Sequence, residues 1–184
     1  MCLKFCKRFA IQARNGKKII IRRPEAGDAK KLLEYFNPVI EEDAPVEVTR
    51  KHTLKEERAW LKDKLDKIRK NKSHHLVAIY SGRIIGSVEL RKGSDRHAHT
   101  AEYGITVSKD YRNLGIGMKM SQIILNIAKK DREIKIVYLR VFKTNNKAIR
   151  LYRKLGFRKI AVHPKWIKYK GKYIDEIVMD YPLR

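Results

Sequence analysis

The chain has 184 residues, enough for one domain with its own core, and 43% of them are hydrophobic, which excludes a disordered segment. It carries 44 Lys/Arg against 20 Asp/Glu, a net charge of +24, so salt-sensitive attraction to polyanions is expected. No apolar run approaches the ~20 residues that span a membrane, and the start, Met1 to Phe9, is broken by cations and lacks a leader's apolar core.

A cytoplasmic protein with no membrane association is therefore expected. Cys2 and Cys6 read as reduced thiols, since two cysteines near one end make no disulfide framework. The charge is uneven: residues 1–24 hold Lys and Arg without any acid, whereas residues 25–60 are net acidic. This divides the chain into a basic arm, residues 1–18, with no clear periodicity, and one domain over residues 19–184. The bulk charge suits either a solvated basic surface or an acidic macromolecule such as RNA or the ribosome.

Ile19-Ile20-Ile21 reads as the first strand. A helix is expected from Pro24-Glu25, with Leu32, Leu33 and Phe36 as its apolar stripe and Pro38 as its end. An acidic loop follows, with Glu41, Glu42, Asp43 and Glu47. Thr53 and Glu56 form a capping box ahead of a helix bearing Trp60, Leu61, Leu65 and Ile68. Leu76–Tyr80 and Ile84–Leu90, around Ser81-Gly82-Arg83, read as a hairpin.

A strand is expected over His97–Val107, a helix over Ile116–Ala128 and a strand over Ile134–Phe142. The helix from Asn145 carries Ala148, Leu151, Tyr152 and Leu155 at helical spacing, and Gly156 stops it. Asn145 and Asn146 compete for its N-cap. Phe157–Val162 and Tyr173–Tyr181 close the chain as strands. This order predicts an α+β fold: one central mixed, mostly antiparallel sheet of about seven strands with helices on both faces.

Between the strand ending at Val107 and the helix from Ile116 stands Arg112-Asn113-Leu114-Gly115-Ile116-Gly117. A helix start offers unpaired N–H groups and the positive end of the dipole, and glycines let a phosphate approach them. Arg112 adds a guanidinium. A dinucleotide fingerprint is excluded because Met120 stands where its third small residue belongs, and no Gly-Lys-Ser/Thr of a P-loop follows.

Arg-x-x-Gly-x-Gly, followed by Asn145-x-x-Ala148-x-x-Leu151-Tyr152-x-x-x-Gly156-Phe157, resembles the two signature segments of the GCN5-related N-acetyltransferase (GNAT) family. With the flanking strands, the resemblance covers roughly residues 75 to 181. It implies acetyl-CoA as cosubstrate, with its pyrophosphate on Arg112, Asn113, Leu114, Gly115, Ile116, Gly117 and Met118. It also implies that the strand ending at Val107 splays from its neighbour and offers backbone groups of Ile105, Thr106 and Val107 to the pantetheine arm, with Asn145 and Ala148 alongside.

The implied reaction moves an acetyl group to a primary amine. An alkyl ammonium, with a pKa near ~10, must first lose a proton. Alternation on Ala101–Val107 puts Glu102, Gly104 and Thr106 on one face. Glu102 is the candidate base, acting directly or through water; the competing reading is a carboxylate paired to one of the many cations. Glu89 is the second choice. Tyr152, where the family's tyrosine faces the sulfur, is the candidate acid, or else a packed tyrosine.

No histidine set has ligand spacing, so no metal is expected. The acidic loop suits a cationic acceptor such as a polyamine, while Trp166, Tyr169 and Tyr173 suit a lid over a peptide amine or plain packing. A monomer or a homodimer fits. The alternative function is a non-catalytic GNAT-like module that binds RNA or the ribosome through its basic surface.

Overall fold

The structure is a computed structural model and describes residues 8–46 and 48–183. Among these residues eight strands and four α-helices follow one another: β1 (Phe9–Gln12), β2 (Lys18–Arg22), α1 (Ala29–Glu41), α2 (Leu54–Arg69), β3 (Ser73–Tyr80), β4 (Arg83–Lys92), β5 (Thr100–Val107), α3 (Ile116–Lys130), β6 (Ile136–Phe142), α4 (Asn146–Leu155), β7 (Arg158–Tyr169) and β8 (Lys172–Pro182). Strand pairing follows the order β1-β2-β3-β4-β5-β6-β8-β7. The expected α+β fold with an open mixed sheet is found, with one strand more than the sequence suggests.

Contacts gather the chain into two compact units. One joins residues up to Glu89 with Ile105–Ile124; the other joins Leu90–Gly104 with residues from Leu125 onward.

In the first unit, the additional strand comes from the basic arm. β1 pairs antiparallel with β2, Phe9 opposite Ile21 and Gln12 opposite Lys18. Four residues flanked by cations are too few to show a period, but Ile19 and Ile21 leave β2 buried on one face and able to accept an edge strand. The start of α1 is tied to β2 by a buried pair, in which Arg22 Nη1 and Nη2 donate to Asp28 Oδ2 and Oδ1 at 2.7 and 2.9 Å. This pair places a 3-10 turn at Ala26–Asp28, so α1 begins later than Pro24-Glu25.

Nor does Pro38 end α1. The helix runs on to Glu41, and the Glu42 N–H donates to Pro38 O at 3.1 Å. The missing N–H of Pro38 costs one bond near the C-terminus, where buried Val39 holds the last turn to the core. The capping box of α2 forms in full: the Glu56 N–H donates to Thr53 Oγ1 at 3.3 Å, and the Thr53 N–H to Glu56 Oε2 at 2.8 Å. The two helices pack Leu32, Tyr35, Val39 and Leu61 against Val77 and Ile84 of the β3–β4 hairpin. Gly86 on β4 permits a close approach, since a Cβ there would lie 3.2 Å from Met120 Sδ of α3.

In the second unit, β5 and β6 run parallel, but their ladder is short. Thr100, Ala101 and Glu102 face Ile136, Val137 and Tyr138, three of the eight residues of β5. β6 continues against β8 from Ile136↔Pro182 to Phe142↔Glu176. β7 is much longer than the sequence suggests and contains most of the expected loop His163–Lys172. Pro164 sits there in a register shift between His163 and Ile167, on the last strand of the order, where no ladder bond is lost to a further neighbour. An aromatic cluster of Tyr103, Tyr152, Phe157 and Tyr181, with centroids 5.4–5.9 Å apart, anchors α4 and the ends of β7 and β8.

Candidate active site

The loop after β5 is shaped as its residue types demand. Asn113 at φ 63 and Gly115 at φ 80 adopt left-handed backbone, which asparagine tolerates and glycine takes freely. The Lys119 N–H donates to Gly115 O at 3.1 Å, so Gly115 stands just ahead of α3. The N–H groups of Ile116, Gly117 and Met118, in the first turn of α3, have no acceptor within the helix. These groups fit a phosphate: a glycine corner, donors unused by the helix and the positive end of a fifteen-residue helix.

Arg112, the loop's signature cation, is already engaged. Its Nε donates to Val107 O at 2.8 Å, and Nη1 donates to Glu42 Oε2 at 3.1 Å, while Nη2 bonds Glu42 Oε1. The guanidinium thus ties the loop to the end of β5 and to the acidic loop after α1. Of that acidic loop, Glu41 pairs with Lys51 and Glu42 with Arg112, and Glu47 lies outside the described residues. Its charge is partly neutralised by the chain's own cations, a feature the sequence does not show.

Along the end of β5, Thr106 Oγ1 and the phenol of buried Tyr35 share a hydrogen bond. Tyr35 therefore fixes the face of β5 that carries Thr106, between Ile105 and Val107. Periodicity marks Tyr35 as no more than a neighbour of the α1 stripe.

In the second unit, Glu102 is clamped by two arginines. Oε1 accepts from Arg140 Nη2 at 2.9 Å and Nε at 3.1 Å, and Oε2 lies 3.1 Å from Arg91 Nη2. Glu89, in the first unit, bonds Lys64 Nζ at 2.5 Å. Both carboxylates that the sequence offers as bases are thus ion-paired, and of the two roles open to Glu102 the ion-paired one has its contacts in place.

Tyr152 is buried edge-on against Tyr103, 5.8 Å between centroids at 85°. Its hydroxyl has no hydrogen-bond partner among the described residues. Burial pushes its pKa up to about 12, so the phenol keeps its proton throughout the physiological range. Asn145 settles the N-cap question, since its Oδ1 accepts the Ala148 N–H at 3.2 Å. Asn145 and Ala148 are thereby locked to each other at the start of α4.

Of the aromatics near the chain's end, Tyr169 packs on Phe142 at 5.3 Å, whereas Trp166 and Tyr173 are 66% and 65% exposed. Trp166 also rests on His163, 5.1 Å between ring centroids, but it and Tyr173 keep most of their surface open to a ligand. Among the described residues no helix is long and apolar enough to cross a membrane.

A sheet in this strand order, with a glycine turn opening the helix after β5, defines a class, and comparison identifies it. The model of the acetyltransferase (GNAT) family matches residues 36–157, and the chain belongs to that family. It is 27% identical over 105 residues to the L-amino acid N-acetyltransferase AaaT of Escherichia coli, a match covering 56% of this chain and 65% of that protein's length. The chain thus spans about two thirds of that relative.

By structure it resembles the ribosomal-protein-S5-alanine acetyltransferase of Vibrio fischeri, with a TM-score of 0.85 at 19% identity, covering 96% of this chain and 97% of that one. It also resembles the phosphinothricin acetyltransferase of Sinorhizobium meliloti in complex with acetyl-CoA, with a TM-score of 0.77 at 18% identity, covering 89% and 87%. At such identities these two likenesses establish the fold.

Proposed function

We propose that the protein is a cytoplasmic acetyl-CoA-dependent N-acetyltransferase that acts on a primary amine by direct attack. The observation that carries this reading is the left-handed Asn113/Gly115 corner at the head of α3, inside the span matched by the family model. The first-turn N–H groups of Ile116, Gly117 and Met118 would hold the pyrophosphate. Backbone groups of Ile105, Thr106 and Val107, beyond the three-residue β5–β6 ladder, would hold the pantetheine arm, with Asn145 and Ala148.

Bound acetyl-CoA supplies an acetyl group activated as a thioester. Tyr152 holds the proton that the departing sulfur needs, on a hydroxyl with no competing partner. Glu102 takes the ammonium proton, through water, because one of its oxygens already accepts two Arg140 N–H groups and the other is ion-paired with Arg91. The acceptor is a small amine or a protein amine. The partly neutralised acidic loop lends a polyamine less support, while exposed Trp166 and Tyr173 suit a peptide.

The test is release of CoA thiol from acetyl-CoA over a panel of polyamines, free amino acids, aminoglycosides and peptides with varied N-termini. Turnover with one class is expected. Salt-dependent RNA binding without any binding of acetyl-CoA would replace the enzyme with the non-catalytic module.

A further inference from the structure

We propose that Arg14, in the turn between β1 and β2, belongs to the donor site and that its guanidinium binds the pyrophosphate of coenzyme A beside Gly115. The proposal rests on the reading that the Arg112–Gly117 loop holds that pyrophosphate. It adds a residue from outside residues 36–157, the span matched by the family model.

The turn is seated on the phosphate loop. The Arg14 N–H donates to Leu114 O at 3.0 Å. A Cβ built on Gly115 would lie 3.7 Å from Arg14 Cγ and 3.8 Å from its Nε, so this side chain lies along the glycine corner itself. The turn's shape is its own: Ala13 N–H to Lys17 O and Gly16 N–H to Ala13 O, both 2.9 Å, with Gly16 at φ 81. The buried methyl of Ala13 fixes its base. Arg14 is thus carried to the loop by a closed hairpin, not by a free arm.

Two cations of the neighbouring segments, Arg112 and Lys17, are already engaged. Arg112 serves Glu42 and Val107 O. The ammonium of Lys17 lies 4.9 and 5.2 Å from the ring centroids of Tyr80 and Tyr111. The guanidinium of Arg14 is exposed and has no ion pair or hydrogen bond among the described residues. A pyrophosphate on the α3 N-terminus would bring two negative charges to this uncommitted guanidinium, and a planar fork matches paired phosphate oxygens.

The test is calorimetric titration of the full chain with CoA and with dephospho-CoA, which keeps the pyrophosphate and lacks the 3′-phosphate. Arg14→Ala is expected to weaken both ligands by about 10-fold. Arg14→Lys should restore part of the loss, and Arg83→Ala, at an exposed cation at the start of β4, should change neither. The backbone bond to Leu114 survives the alanine change, so the thermal midpoint should hold. Wild-type affinity in Arg14→Ala overturns the proposal. So does a loss confined to CoA, which would move the guanidinium to the 3′-phosphate. Failure of the unaltered chain to bind either ligand would overturn the donor-site reading itself, and that result is distinct from both.

Discussion

Glu42 and Arg112, seventy residues apart in the chain, form a two-pronged ion pair that joins the end of α1 to the phosphate loop. The pair is partly exposed, with 39% of the Arg112 side chain accessible, so its own contribution to stability is modest. Its larger effect is on the anion site, where Glu42 adds a negative charge and occupies a guanidinium. Glu42→Gln is expected to tighten CoA binding about 3-fold, the size of an exposed ion pair. Titration of the variant checks this, and weaker binding would mean that Glu42 serves to hold Arg112 in position.

Tyr152→Phe removes a hydroxyl and leaves the ring among Tyr103 and Phe157. If the phenol protonates the leaving sulfur, kcat should fall by about 100-fold with KM little changed. A phenol whose pKa is pushed up to about 12 stays protonated as pH rises past its ordinary value of 10. The unaltered enzyme should therefore show no loss of rate from Tyr152 ionisation below about pH 11. A packed tyrosine without a chemical role would leave kcat intact in the variant.

For Glu102 the discriminating comparison is with its partners. Glu102→Gln removes a proton acceptor and also leaves Arg91 and Arg140 without their carboxylate. Arg140→Met loosens the clamp and spares the carboxylate. A base role predicts a kcat loss of about 100-fold in the glutamine variant alone. Equal losses in both, accompanied by a lower unfolding midpoint, would assign Glu102 to anchoring β5 and β6.

Asn145 caps α4 and is also the residue proposed to meet the pantetheine arm. Asn145→Ala should cost about 1 kcal/mol of stability from the lost cap. Asn145→Ser keeps a cap and loses the amide. Denaturant midpoints and CoA affinities measured together separate the two roles: serine should retain the midpoint and lose affinity.

His75 lies fully inside the first unit. Its Nε2 and Ser87 Oγ are hydrogen-bonded at 2.8 Å, and Nδ1 is without a partner among the described residues. Burial drops its pKa to about 4 from 6.5, so the folded state keeps it neutral where the unfolded chain would protonate it. The stability linked to this group is present above pH 6.5 and is lost as pH falls through 4. That window is worth about 3 kcal/mol. Urea midpoints between pH 7 and pH 4.5 should fall, and His75→Gln should flatten the fall while lowering the midpoint at pH 7.

Much of the fold could be read directly because it rests on local chemistry. The Thr53–Glu56 box, the Ser81-Gly82 turn and the Asn145 and Gly156 caps are each set by a few adjacent residues. What escaped depends on partners distant in sequence. β1 is a strand because β2 lies beside it, not because four residues show a period. Pro38 looks like a terminator until the packing of Val39 is known. β7 is hidden by Pro164 and by a register shift that breaks alternation. In the candidate site the glycine corner was legible for the same local reason. The engagement of Arg112 by Glu42, the clamp on Glu102 and the approach of Arg14 were not, since each joins segments that the chain brings together only on folding.

β1 is the outermost strand on its side of the sheet, and it pairs along the whole of Phe9–Gln12. A chain shortened to begin at Lys18 would leave the edge of Lys18–Ile21 without that neighbour, next to an Ile20 already 38% exposed. Such an uncovered margin is a template for a strand of another molecule. Shortened preparations should self-associate through β2, and because Arg14 leaves with the same piece, their loss of coenzyme affinity would be mistaken for a consequence of the association.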